Sequence, residues 1–406
     1  MRRDGSAGAP LRIALAEFGS RGGLLHYSAQ MADALARRGH EVTLVVPRGH
    51  ELEVALEAAT VAPVLASFDM ARPRAMGRIA RLVQRAARAA AFARAWRDLD
   101  RYAVRERPQI LQLGDLRYAL DAVAVQAISR RRSRPLLVDV CHNVVPLQTG
   151  AADQLFRRDR VSDRTLRGAY RRLDLVLVHG EESRRQFAAH WGVPTPVEII
   201  PHGDEGIFGD PLEPTAGVPT VLFFGTWSRY KGLGLLLDAF SAVTRHLPEA
   251  RLEIVGYPTR DAAEAEIRAA AAHLGPAVRI DPRYVSLEEA REAFRRATVV
   301  ALPYRAGFRS GVASIAFTLA RPVVATRVGD TPADIEAAGA GLVVPPDEPA
   351  AFAAALERLL RNPAEAAEMG RRGRRWTESE ASWEVVAERL ETAYGRHLRG
   401  DSVRPA

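Results

Sequence analysis

The stretch Val221 to Leu237 reads VLFFGTWSRYKGLGLLL. An apolar run ends in Gly225, a short loop carries Arg229 and Lys231, and Leu235, Leu236, Ala239, Phe240 and Val243 then fall at helical spacing. The pattern is a strand, a glycine turn and a helix start. Such a junction aims unpaired backbone N–H groups and the positive end of the helix dipole at one point, and Arg229 and Lys231 add cationic charge there. It reads as an anion seat suited to a diphosphate. The plainer alternative is a solvated basic loop before a helix.

Outward from this junction the same alternation repeats. Downstream of VLFF at 221–224 come LEIV at 252–255, VRI at 278–280, VVAL at 299–302, PVVAT at 322–326 and GLVV at 341–344. Upstream stand RIALAE at 12–17, VTLVV at 42–46, QILQL at 109–113, LLVDV at 136–140, DLVLV at 174–178 and VEII at 197–200. Short apolar runs of this kind are buried on both faces of a parallel sheet. After the first of them, the loop FGSRGG, a helical stripe of Tyr27, Met31, Ala34 and Leu35 and the strand at 42–46 compose one βαβ unit with a right-handed crossover. Gly22 and Gly23 either let backbone approach a ligand closely or make an ordinary tight turn. Ligands of open α/β sheets sit beyond the carboxyl ends of strands. His142, just past the strand at 136–140, is therefore a site candidate, with a structural histidine as the alternative.

Residues 201–218, PHGDEGIFGDPLEPTAGV, hold four glycines and three prolines without periodicity and read as an interdomain linker. The expected organisation is a first doubly wound domain at 1–202, a linker at 203–218, a second doubly wound domain at 219–378 and a terminal helix at 379–406. The stripe Trp383, Val386, Leu390 and Tyr394 requires that helix to find a surface to pack on.

A chain of 406 residues exceeds the size of one ordinary core, and 47% hydrophobic residues suffice for two. The formal net charge of +8 and a pI of about 10.1 suit an anionic partner. No nucleic-acid recognition module accompanies the charge, which argues against a nucleic-acid-binding function. From Ala71 to Pro108 the sequence is rich in Arg and Ala. Arg78, Arg81, Arg85 and Arg88 share one helical side, opposite Ile79, Leu82, Val83 and Ala86, before the pattern breaks at Phe92 and Trp96. Such a helix either contacts anionic lipid or faces a core with a charged outside. A single cysteine, Cys141, excludes a disulfide framework and a multi-cysteine zinc site and fits a reducing cytoplasm. The charged start MRRDGSAGAP and the short apolar run at 11–18 lack the form of a signal sequence or a membrane span.

In combination and in order, several segments resemble the family 4 glycosyltransferases. FFGTWSRYKGLGLLLDAF, ATVVALPY, SGVASIAFTLARPVVATRVGD and GLVVPPDEPAAFAAALERLL are similar to the family's nucleotide-sugar-binding half. GSRGG, LARRGHEVTLVVP, VCHNVVP, VHGEESRRQF and IIPHGD are similar to its first half, so that the likeness spans residues 11–395. The resemblance implies the GT-B architecture: two Rossmann-like domains facing a cleft, with the last helix crossing back to the first domain. It further implies that Lys231 holds the donor diphosphate, that Gly22 and Gly23 close over donor phosphates and acceptor, and that His142 stands beside the transferred sugar. Gly225, Ser310, Gly311 and Val312 then fall where backbone meets the diphosphate or sugar, Tyr284 near the base, and Gly22 and His26 on the acceptor side.

Two departures from that family pattern stand out. Thr226 occupies the position after the turn glycine where the family has arginine, with Arg229 the nearest substitute. Gly307 and Ile315 occupy the positions of a glutamate pair that contacts donor sugar and ribose. The expected function is transfer of a hexose from a UDP- or GDP-sugar to a saccharide or lipid-linked acceptor with retention, as in polysaccharide or glycoconjugate synthesis. The protein would need no metal or cofactor, since no Asp-x-Asp constellation stands in a plausible donor loop and no His-rich cluster is present. It would work in the cytoplasm, at the inner face of the cell membrane if the arginine-rich helix binds lipid. The alternative is a catalytically inactive nucleotide-binding partner subunit or scaffold of the same fold.

Overall fold

The computed structural model describes residues 9–52, 55–67, 78–145, 160–213, 217–259 and 262–399. Among them β1 (Arg12–Ala16), β2 (Glu41–Pro47), β3 (Thr60–Leu65), β4 (Ile110–Leu113), β5 (Leu136–Val140), β6 (Leu175–Val178) and β7 (Val197–Ile199) build one sheet in the order β3-β2-β1-β4-β5-β6-β7. A second sheet contains β8 (Thr220–Phe224), β9 (Arg251–Val255), β10 (Val278–Asp281), β11 (Val299–Leu302), β12 (Val323–Thr326) and β13 (Gly341–Val344), ordered β10-β9-β8-β11-β12-β13. Every pairing is parallel. Helices cover both faces of each sheet because successive strand residues point to opposite sides. In β1, Ala14 and Ala16 enter one core while Ile13 and Leu15 enter the other.

The apolar runs read from the sequence all form strands. β3 was not anticipated: TVAPVL carries Pro63, which cannot donate to a ladder, and the strand survives because it pairs only with β2 at the sheet edge. Strand order reverses between β1 and β4 in the first sheet and between β8 and β11 in the second. These reversals open crevices beyond the strand carboxyl ends.

The Arg78–Glu106 helix is anchored only by its later turns, where Phe92, Trp96 and Leu99 are buried. Leu82 and Val83 are 68% and 62% exposed, so the expected core-facing stripe is not buried there. The side chains of Arg78, Ile79 and Arg81 lie outside the described residues. The terminal helix Trp383–Arg399 returns to the first sheet, where Trp383, Val386, Leu390 and Tyr394 complete a core with Ile13, Leu25 and Leu35. Arg396 and His397 hold Glu198 at 2.5 and 3.1 Å, and Tyr394 donates its hydroxyl hydrogen to Gln112. No described helix is long and apolar enough to cross a membrane.

Candidate active site

Loops past β1, β5, β8, β9, β10 and β11 converge on a cavity of about 400 Å3 between the two sheets. After β8 the chain turns at Gly225, whose φ of 102° favours glycine and whose missing Cβ would lie 3.3 Å from Lys231 Nζ. A short 3-10 turn, Arg229–Lys231, precedes Gly232 and the helix Leu233–His246. A Cβ on Gly232 would meet the Pro303 carbonyl oxygen at 1.9 Å, so only glycine lets this turn press against the loop after β11.

Lys231 is 8% exposed, and burial lowers its pKa. Its Nζ lies 5.4 Å from the Tyr304 ring centroid, and no carboxylate among the described residues forms an ion pair with it. Of the two cations read from the sequence, Lys231 faces the cavity and Arg229 does not. Arg229 is exposed and does not line the cavity, because the 3-10 turn directs it outward. Arg309 lines it instead, with a side chain 7% exposed, held 2.6 Å from Asp334 and donating to the His179 carbonyl oxygen at 3.3 Å.

Ser310, Gly311 and Val312 line the cavity at the start of the Gly311–Thr318 helix. The Ser310 amide donates to Thr331 Oγ1 at 3.0 Å, which engages it away from a ligand. Gly311 and Val312 occupy the first helical turn, where amides have no intrahelical acceptor. Tyr284 lines the rim and is largely exposed. Gly23 and His26 line the same cavity. Gly22 begins the Gly23–Arg37 helix and lines neither this cavity nor its neighbour.

His142 lines the cavity from the first domain. Its Nδ1 lies 3.1 Å from His179 Nε2, and His179 Nδ1 lies 3.4 Å from the Ile200 carbonyl oxygen. With His179 donating to that carbonyl, its Nε2 accepts from His142 Nδ1–H, which leaves His142 Nε2 as a lone-pair acceptor. Burial depresses the His142 pKa to about 4, with Arg117 acting in the same sense and Asp115 opposing. The ring is neutral at pH 7. His202 joins this group, its ring 5.1 Å from that of His179, and Tyr27 packs against all three histidines. The convergence was not legible from scattered single histidines. Among the described residues, no three or more His, Cys, Asp or Glu side chains form a group that could hold a metal ion.

A second cavity of about 680 Å3 lies in the first domain and shares Gly23 with the first. Phe18, Phe92 and Tyr118 give it an aromatic wall, while Glu17, Asp115 and Arg117 supply charge. Glu17 accepts from the Gly19 amide at 2.6 Å, and burial raises its carboxyl to about 7. Burial pushes Asp115 up, but Arg117 at 2.7 Å, the nearby His142 and the Asn143 amide outweigh it and hold Asp115 below the usual carboxylate range.

Residues 21–203 match the family described as Glycosyltransferase Family 4, and residues 218–362 match Glycosyl transferases group 1. Among curated proteins, the D-inositol 3-phosphate glycosyltransferase of Segniliparus rotundus is 32% identical over 226 residues, 52% of this chain and 49% of that one. The D-rhamnosyltransferase WbpZ of Pseudomonas aeruginosa is 33% identical over 159 residues, 37% of this chain and 38% of that protein. The chain thus spans about half the length or less of these relatives. Among solved structures, the sucrose-phosphate synthase of Thermosynechococcus elongatus aligns with a TM-score of 0.72 at 20% identity, covering 96% and 99% of the two chains. Anabaena HepE in complex with UDP and glucose aligns with a TM-score of 0.66 at 14% identity, covering 95% and 99%. These similarities show the GT-B fold.

Proposed function

Since the chain belongs to the family 4 and group 1 glycosyltransferases, we propose that it transfers a hexose from a UDP- or GDP-sugar to a saccharide or lipid-linked acceptor with retention of anomeric configuration. The observation that carries this reading is Lys231, a buried cation facing an interdomain cavity beside the first-turn amides of Gly311 and Val312. A diphosphate leaving an anomeric carbon accumulates negative charge, and fixed cations and amides stabilise it without a metal. Lys231, Arg309 and these amides take that role.

Neutral His142 accepts a hydrogen bond from a hydroxyl of the donor sugar through Nε2. The acceptor enters by the second cavity and reaches the donor at Gly23. Its hydroxyl attacks on the face the diphosphate leaves, the C–O bond to phosphate breaks, and a departing phosphate oxygen takes the hydroxyl proton. No protein base is required. Complexes of similarly folded proteins with UDP and glucose, or with UDP-2-fluoro glucose, support the donor class.

A peripheral contact with anionic membrane is supported by exposed Leu82 and Val83 on the helix that carries exposed Arg85. The reaction is tested with radiolabelled UDP- and GDP-sugars, following donor hydrolysis and transfer to lipid-linked acceptors. Turnover that is unchanged by chelator and lost in Lys231→Ala supports the reading. Nucleotide binding with no turnover on any donor would favour the catalytically inactive partner subunit, a reading motivated by Gly307 and Ile315.

A further inference from the structure

The donor cavity contains one carboxylate among its described lining residues, Glu205, against the cations Lys231, Arg283 and Arg309. Glu205 is 8% exposed; its carboxyl takes a hydrogen bond from the Gln30 side chain, and the one charged group acting on it is Asp204, an anion. Its position is built rather than incidental. The Glu205 amide donates to Thr318 Oγ1 at 2.9 Å, and Trp383 Nε1 donates to the Asp204 carbonyl oxygen at 2.8 Å. Just beyond, Arg291 Nη1 donates to the Phe208 carbonyl oxygen at 2.6 Å.

With one donor from Gln30 and no cation, this buried carboxyl keeps acceptor capacity for hydrogen-bond donors from whatever fills the cavity. An ionised diphosphate has no hydrogen-bond donor to offer. A sugar hydroxyl pair does. The segment carrying Glu205 runs into Ile207 and Phe208, which pack with Val285, Leu287 and Ala290 next to Tyr284. Ile315, one helical turn before Thr318, lines the same wall and offers no polar group.

We propose that Glu205 is the ribose-recognising group of the donor cavity, its carboxylate accepting hydrogen bonds from the vicinal 2′,3′-diol of the donor nucleoside. The inference rests on the donor reading given above and assigns the interdomain linker a part in recognising the nucleotide. Burial, with Asp204 adding, holds the empty-site carboxyl at about 8, consistent with a group awaiting donors.

Calorimetric titration of the full chain with UDP, GDP and their 2′-deoxy counterparts tests the assignment. At pH 9, where the empty-site carboxyl is ionised, hydrogen bonds to a charged group predict that the wild type prefers the better-bound ribonucleotide by roughly ten- to a hundredfold. In Glu205→Ala the preference should collapse to about twofold or less through weaker ribonucleotide binding, and in Glu205→Gln it should shrink. Glu205→Gln gives the reading if the alanine variant fails to fold. A preference unchanged in a folded variant, or absent from the wild type, overturns the inference while leaving the donor reading in place. A wild type that binds none of the four nucleotides overturns the donor reading and this assignment with it.

Discussion

Lys231 is an amine enclosed by Gly225 and the face of Tyr304, with a pKa drawn down by burial. A cation in this position is stabilised by an incoming anion, and replacing Lys231 with Ala should lower turnover by roughly 10² to 10³, about 3 to 4 kcal/mol of transition-state stabilisation. Steady-state kinetics on any accepted donor measures it. His142→Ala removes a hydroxyl acceptor rather than a phosphate contact, so turnover should fall while calorimetric nucleotide affinity stays within about threefold. Glu17 makes a pH prediction. Its carboxyl is lifted by burial from an ordinary 4.5 to about 7, so ionising it costs stability once pH exceeds its unfolded value. Glu17→Gln should therefore melt increasingly above the wild type as pH rises from 4.5 to about 7, with the difference levelling off above 7 and vanishing near pH 4. Lys231 was legible because the glycine turn and helix lie beside it in sequence. Arg309 and Glu205 were not, since their place in the cavity arises from loops that meet only in three dimensions.

At the scale of elements, strand identities were legible because parallel strands buried on both faces are continuous apolar runs, and only Pro63 hid an edge strand. The Arg78–Glu106 helix shows the limit of periodicity. Its apolar stripe exists in sequence, but nothing covers Leu82 and Val83 among the described residues. If these turns dock on lipid, the full chain should sediment with anionic vesicles and not with zwitterionic ones, and Leu82→Glu with Val83→Glu should abolish it. A second element-level feature links the domains. Asp330, at the start of the Thr331–Ala338 helix, accepts from the amides of Glu182 and Ser183 at 2.9 and 3.2 Å and from the Ser183 hydroxyl. It caps the Glu181–Trp191 helix of the other domain, and Gly180 leaves it room, since a Cβ there would lie 2.2 Å from Asp330 Oδ1. Asp330→Ala should cost about 1 to 2 kcal/mol in denaturant unfolding, as loss of an N-cap does.

For the whole molecule, two sheets present the carboxyl ends of their strands to one cleft, and the reversal of strand order in each explains why the chemistry-bearing loops gather there. The linker and the returning helix join the domains, and closure about them, if it occurs, would exclude water from a departing diphosphate. On the proposed function, the cleft binds a nucleoside diphosphate through Lys231. Thermal denaturation of wild type and Lys231→Ala with UDP, GDP and their sugars tests it most directly. At 100 times its dissociation constant, the right ligand should stabilise the wild type by about 2.7 kcal/mol and raise its midpoint, with most of the shift lost in Lys231→Ala. A wild type whose midpoint moves with none of these ligands, or a Lys231→Ala variant that shifts as fully as the wild type, would contradict it.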